Sequence, residues 1–155
     1  MKGNDVVIGQ LNKLLAGELA AMDQYFVHSC MYDDWGLSKL HKQIAHEFED
    51  EKEHAELLIQ RILFLEGIPD MVTRDPINIG LDVPSMLKSD LAIEYGVVTA
   101  LKEAIVICES EKDYQTREIL EKLLEDTEED HAYWLEKQLG LIDKIGIQNY
   151  LQSQM

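Results

Sequence analysis

The chain has 155 residues, 46% of them hydrophobic, and a formal net charge of −16. It is long enough for one domain with a sizeable core, and its charge excludes a nucleic-acid partner while drawing cations toward the surface. No apolar run approaches the roughly 20 residues of a membrane span, so no membrane partner is expected, and Cys30 and Cys108 form neither a CxxC pair nor a disulfide framework.

Helix signals dominate and strand signals are nearly absent, in keeping with only three prolines and nine glycines. The opening MKGNDVVIGQ holds too short an apolar stretch for a signal peptide, so a reducing, cytoplasmic location is expected, with both cysteines as packing residues. A first helix is predicted over about 5–34, ending in DDWG, and a second over about 38–66, with Gly67 and Pro69 as its stop. Pro84 opens a third helix that continues to about 112. Asp113 caps a fourth, which runs to about 139 and is ended by Gly140. The remainder, LIDKIGIQNYLQSQM, leaves room for a short fifth helix with an exposed tail.

The first and third connections are a few residues long, so each joined pair should be an antiparallel hairpin. The second connection, GIPDMVTRDPINIGLDV, is long enough to cross the bundle and start the third helix parallel to the second. Neither hairpin has a core of its own. An all-α four-helix bundle with one long crossover, forming a single domain over 1–155, is therefore expected.

The most polar stretch, EDEKEHAE at 49–56, runs into the apolar LLIQRILFLEG. Register separates its inward residues from its solvated ones. The apolar seam of the second helix passes through Leu40, Ile44, Glu47, Glu51, His54, Leu58, Ile62 and Leu65 in steps of three and four. On the third helix it passes through Leu87, Leu91, Glu94, Val98, Leu101, Ile105 and Cys108. The first helix offers Leu11, Leu14, Glu18, Met22 and Tyr25, and the fourth Leu120, Leu124, Glu128, His131, Leu135 and Leu139.

Each helix thus carries a carboxylate on its buried face, and two add a histidine three residues on, in EKEH (51–54) and EEDH (128–131). An unpaired buried carboxylate costs several kcal/mol and gains a proton or a partner instead. Four in one core need a common positive charge, and a dinuclear metal centre supplies it. Its ligands would be one Glu from each of two helices and Glu-x-x-His from each of the other two. Glu18 and Glu51 are 33 positions apart, and Glu94 and Glu128 are 34, so the two hairpins bring matching ligands to matching depths. Mixed carboxylate and imidazole ligands suit iron or manganese.

At these residues the chain resembles bacterioferritins and closely related bacterial ferritins. The similarity runs from LNKLLAGEL and DQYFVHSCMYDDWGL through RILFLEG to HAYWLEKQLGLI and NYLQSQM. It implies a ferritin-like bundle in a hollow homo-oligomeric shell of 24 subunits that oxidises Fe(II) with O2 or peroxide and stores a ferric mineral. The six metal positions of the family are matched by Glu18, Glu51, His54, Glu94, Glu128 and His131, with Glu51 and Glu128 as bridges. Glu18 with His54, and Glu94 with His131, would complete the two coordination spheres. Tyr25 matches a family tyrosine proposed to donate an electron, and is equally suited to a packed core. His46 and Asp50 match positions that bind a further iron on the inner surface of some members.

One departure concerns haem. Family members that bind it use a methionine where this chain has Lys52, and a protonated ammonium cannot ligate iron. Met31 and Met86 read as packing residues. A methionine-bearing subunit that co-assembles with this one is the remaining route to haem, and a ferredoxin-type reductant is the partner implied for iron release.

The rival readings are a di-iron or di-manganese enzyme of the same bundle, of peroxidase or catalase type, and a structural subunit of an active shell. The CxxC module typical of rubrerythrins is absent, and a complete ligand set argues against a purely structural role. A DNA-protecting ferritin would need a different ligand spacing and a basic tail.

Overall fold

Side-chain caps set where three of the helices begin. In the computed structural model, which describes residues 1–155, Asn4 accepts from the amides of Val6 and Val7 at 2.8 and 3.2 Å and opens α1 (Asp5–Asp34). A tight turn through Trp35 and Gly36 leads into α2 (Ser38–Phe64). Asp82 and Ser85 form a reciprocal capping box, with Pro84 in the first turn, at the start of α3 (Val83–Ser110). Asp113 accepts from Thr116 at the start of α4 (Tyr114–Asp126). A π-helical turn, Thr127–Ala132, then joins α4 to α5 (Tyr133–Ile145), and a short α6 (Ile147–Ser153) follows.

The architecture is the expected all-α four-helix bundle with a short C-terminal helix, the fourth long helix being α4, the π turn and α5 in succession. Two details differ from expectation. Gly140 lies inside α5, because one glycine costs a helix only about 1 kcal/mol relative to alanine and does not end it. The break falls at Gly146, where φ is +80° and ψ 155°, a conformation that favours glycine. The C-terminal segment is also tied down. Tyr150 is fully buried, its hydroxyl donates to Gln138 Oε1 at 2.7 Å, and the Lys39 amide donates to the Gln154 carbonyl.

The crossover, residues 65–82, is laced to α1 along its length. Asn12 Nδ2 donates to the Ile68 carbonyl and its Oδ1 accepts from the Asp70 amide; the Asp75 amide donates to the Ala16 carbonyl, and Arg74 pairs with Asp23. Further on, the Asn78 amide donates to Gln24 Oε1 and the Gly80 amide to His28 Nε2. From position 12 to position 28 of a helix is about 24 Å. The strap therefore runs much of the length of the bundle beside α1 and delivers the chain to start α3 parallel to α2. A buried cluster anchors its far end. Asp90 Oδ1 accepts from Gln24 Nε2 at 2.7 Å and from His28 Nδ1 at 2.8 Å.

The apolar core is in two parts. One holds Leu11, Leu15, Leu58, Ile62, Leu101 and Leu120, the other Tyr32, Leu40, Ile44, Met86, Leu87 and Leu135. Between them in sequence, on every long helix, lies a buried ionisable side chain.

Gly80 sits where the strap meets the start of α3, and a β-carbon there would lie 2.4 Å from the Met86 amide nitrogen. Gly80→Ala should cost about 1–3 kcal/mol through backbone overlap. Gly140→Ala, with no atom within 4 Å of the added methyl, should be neutral or stabilising by about 0.5–1 kcal/mol. Urea unfolding of both variants measures the contrast.

Candidate metal centre

Glu18 on α1, Glu51 and His54 on α2, Glu94 on α3 and His131 on the π turn are all buried, none more than 4% exposed. The sequence puts them there by keeping each on the i, i+3, i+4 stripe that the flanking leucines and isoleucines bury. Glu51 is the middle of the group. Its Oε1 lies 2.9 Å from His131 Nδ1 and its Oε2 lies 3.4 Å from His54 Nδ1. Glu18 Oε2 is 3.8 Å from His54 Nδ1, and Glu94 Oε1 is 3.6 Å from His131 Nδ1. The two imidazoles stack with centroids 5.5 Å apart at an interplanar angle of 18°.

Two ligand triads result, Glu18–Glu51–His54 and Glu51–Glu94–His131, each able to place its donor atoms within 4.8 Å of one another. They share Glu51. Both oxygens of Glu18, one each of Glu51 and Glu94, and the Nδ1 atoms of both histidines are buried without a hydrogen-bond partner. Buried polar atoms are seldom left so, and a set of acceptors left together is the signature of a cation site.

The proton affinities tell the same story. Burial pushes the Glu18 carboxyl well up, and the neighbouring Glu51 adds to the rise. Burial likewise raises Glu94, against the lowering effect of His131 and Tyr25. For His54, burial alone would lower the pKa, but the Glu18 and Glu51 carboxylates prevail and hold it at about 11. His131 is also pushed upward, by Glu47, Glu51 and Glu94 against its burial. Protons gather where the carboxylates are desolvated.

The sixth expected ligand lies elsewhere. Glu128 is exposed, with Oε1 3.5 Å from Lys102 Nζ. The buried stripe of the fourth helix runs Leu120, Leu123, Thr127, His131 and Leu135, and misses both Leu124 and Glu128. Residues 127–132 are wound with i→i+5 bonding, so the three-residue offset from His131 that would be inward on an α-helix is turned aside. Thr127 takes the inward place, its hydroxyl donating to the Leu123 carbonyl at 2.8 Å. On α3, similarly, the more buried of the valine pair is Val97 rather than Val98.

Other expected residues fall near the group. The Tyr25 hydroxyl donates to Glu94, and burial together with the Glu94 charge raises its pKa, so the phenol keeps its proton. His46 is exposed on the flank of α2, with Nε2 3.5 Å from Asp50 Oδ2. The same Asp50 oxygen lies 3.3 Å from His131 Nε2. Lys52 is exposed, and its ammonium has no means of ligating a haem iron; the residues present do not fit that group. Met86 is fully buried in the apolar core and Met31 packs against it, in keeping with their reading as packing residues.

Two carboxylates were not among the expected ligands. Glu47, named only as a seam residue, is buried with Oε2 2.9 Å from His131 Nε2, while its Oε1 accepts from Gln43. Asp126 Oδ2 lies 2.6 Å from His54 Nε2. Only the position of Glu47 on the seam signalled it in advance. Nothing in the spacing signalled Asp126. Beside His54 an open cleft of about 430 Å³ is lined by Glu53, Lys122, Asp126, Glu129 and Asp130.

Residues 8–145 match the family model of the ferritin-like domain. The chain is 65% identical over 155 residues to a bacterial ferritin of a Synechocystis species, covering 100% of this chain and 99% of that one. It is 56% identical over 155 residues to a bacterial ferritin of Pseudomonas aeruginosa, with both chains fully covered. A bacterioferritin of Mycobacterium avium is 40% identical over 150 residues, covering 97% of this chain and 94% of that one. By its bundle, its buried ligand layer and these relatives, the chain belongs to the ferritin-like family of bacterial ferritins and bacterioferritins.

Proposed function

We propose that the protein is an iron-storage ferroxidase, which oxidises Fe(II) at a dinuclear site inside each subunit and passes Fe(III) to a mineral within a multi-subunit shell. The observation that carries the reading is Glu51, a carboxylate 1% exposed whose two oxygens face two different buried histidines. That is the arrangement of a bridge between two cations. Family membership makes iron the metal and storage the general function.

In this reading Glu18 and His54 would hold one Fe(II) and Glu94 and His131 the other, with Glu51 available to both. Glu128 is the sixth ligand by its spacing, and would reach the pair by leaving Lys102 as the π turn rewinds. Each Fe(II) gives up one electron. O2 with two protons becomes hydrogen peroxide, and peroxide with two further electrons and two protons becomes two waters. Tyr25 would supply one of those two further electrons, with a further Fe(II) supplying the other, and its hydrogen bond to Glu94 supports that reading by giving the phenolic proton an acceptor. His46 and Asp50 would take iron at the inner surface. No haem step is assigned to this chain.

The shell, taken as 24 copies in the cytoplasm, draws support from the large apolar side chains left exposed on α1, α2 and the crossover, among them Phe26, Phe64, Ile68 and Val72. No helix is long and apolar enough to cross a membrane. Iron release would call on a ferredoxin-type reductant, and a methionine-bearing subunit would be needed for haem to enter the shell.

Aerobic Fe(II) loading, followed by gel filtration with iron and protein assayed in the same fractions, should give iron eluting with a large particle far beyond two per chain. Retention of about two in a small oligomer would instead favour the di-iron or di-manganese peroxidase reading. Glu18→Ala and His131→Ala should both abolish the rapid phase of oxidation while leaving assembly intact.

Metal binding must also displace protons. His54, held at about 11, and His131, raised further, are both protonated at pH 7 and must be neutral to bind a metal. Occupying both positions should release at least about two protons per chain at pH 7, and affinity should fall as the pH drops. Calorimetric titration with Zn(II) in two buffers of different ionisation enthalpy measures this.

The same crowding opposes folding when no metal is bound. Glu18→Gln removes a desolvated carboxylate that lacks any hydrogen-bond partner. Because burial raises the Glu18 carboxyl well above its ordinary range, its ionised form is disfavoured in the fold, and the variant should be more stable than the parent after metal removal. Thermal midpoints measured in chelator would then rise by roughly 2–4 °C per kcal/mol, and an unchanged or lower midpoint would contradict the electrostatic account.

A further inference from the structure

We propose that Asp126, the last residue of α4 before the π-helical turn, is a positioning residue for His54 and that it turns the Nδ1 edge of that imidazole toward the metal. The inference rests on the dinuclear reading above. His54 offers two polar edges. Its Nε2 donates to Asp126 Oδ2 at 2.6 Å, and its Nδ1 faces Glu51 and Glu18 with no hydrogen-bond partner. A neutral imidazole that donates its Nε2–H to a carboxylate in a hydrogen bond keeps the Nδ1 lone pair for a metal, with ring orientation and tautomer both fixed.

The second histidine repeats the arrangement with different parts. His131 Nε2 faces Glu47 at 2.9 Å and Asp50 at 3.3 Å, while its Nδ1 faces Glu51 and Glu94. Each ring thus has an outer carboxylate at its Nε2, and the two stack at an interplanar angle of 18°. Asp126 reaches its place through the winding of the helix. It stands five residues before His131, and i→i+5 bonding over Thr127–Ala132 brings residues five apart to one face. In an uninterrupted α-helix the positions sharing a face with His131 would be Thr127 and Glu128.

The two supports are unequal. Glu47 is 3% exposed at the side chain, whereas Asp126 is 42% exposed and lines the acidic cleft beside His54. Removing Asp126 leaves His54 held only by carboxylates on its metal-facing edge. The effect should be confined to one of the two metal positions.

The test is titration of the assembled, metal-stripped protein with Co(II), read by visible absorption, for the parent, Asp126→Ala and Asp126→Asn. Helical circular dichroism and gel filtration confirm that each variant folds and assembles. The parent should bind two equivalents per chain. Asp126→Ala should weaken one by about 10–100-fold, with a changed ligand-field spectrum for that equivalent alone. Asp126→Asn keeps an oxygen that accepts from Nε2 and should recover most of the loss. Parent-like affinity and spectrum in Asp126→Ala would overturn the inference while leaving the dinuclear site standing. So would equal weakening of both equivalents, or an Asn variant as impaired as the Ala variant, since either marks a loss of charge rather than of orientation. A parent that binds fewer than two Co(II) would overturn the dinuclear reading, and this inference with it.

Discussion

The sharing of Glu51 between two buried imidazoles is the contact on which the rest of the structure turns. A carboxylate with both oxygens out of solvent is tolerable only among positive charges, and this one stands with Glu18 and Glu94, which are buried as well. The protein meets that cost by confining it. One apolar cluster lies toward the α2–crossover end and the other toward the α6 end, and neither includes a carboxylate or an imidazole. Folding energy is supplied by these two clusters, while the layer between them is free to be electrostatically strained. A binding layer inside a single unbroken core would weaken the packing that holds it.

Depth matters as much as composition, because ligands from four helices must meet at one level. The crossover fixes that level for α3. Asp90 is bound by Gln24 and His28 of α1, and the Gly80 amide closes the cluster on His28. Glu94 comes one helical turn after Asp90, and Tyr25 sits between Gln24 and His28 in sequence. The polar cluster that secures the strap therefore also sets Glu94 against Tyr25, whose hydroxyl it accepts. Burial raises Asp90, and its second oxygen has no partner, so this anchor too tolerates an imperfectly satisfied carboxylate for the sake of register. A helix sliding by one turn would move Glu94 about 5.4 Å and break the triad with Glu51 and His131.

What could be read in the sequence follows from how regular the backbone is. On α1 and α2 the helix is uninterrupted, and the seam positions from Leu40 to Leu65 are all buried as the three–four alternation requires. Glu18, Glu51, His54 and Glu94 were legible for that reason, and the near-equal spacing within each hairpin placed them at one depth. The fourth helix broke the pattern. A π turn leaves no composition signal of its own, since TEEDHA would serve equally well in an α-helix, and a periodicity of 3.6 carried across it sends Glu128 inward and Asp126 outward. His131 was still found, because it lies on the buried stripe in either winding. Glu47 was visible as a seam residue but not as a partner of His131, because pairwise contact across helices is not encoded in the period of either one. Gly140 misled for a simpler reason: a glycine ends a helix only where the backbone must leave the right-handed region, which happens at Gly146.

The irregular turn also makes the two halves of the site differ, although the ligand sets nearly mirror one another. His131 is backed by Glu47, which is itself sealed by Gln43 and the surrounding core. His54 is backed by a half-exposed aspartate at the mouth of a cleft lined by Glu53, Glu129 and Asp130. A metal held as a permanent cofactor is best served by closed edges on both sides, with outer partners as buried as the ligands. A metal handled as a substrate needs one edge where water and carboxylates can take over its coordination as it arrives or leaves. The centre has one edge of each kind. The open one is the edge where the helix departs from α geometry, so the feature least visible in the sequence is the one that makes the two histidine supports unequal.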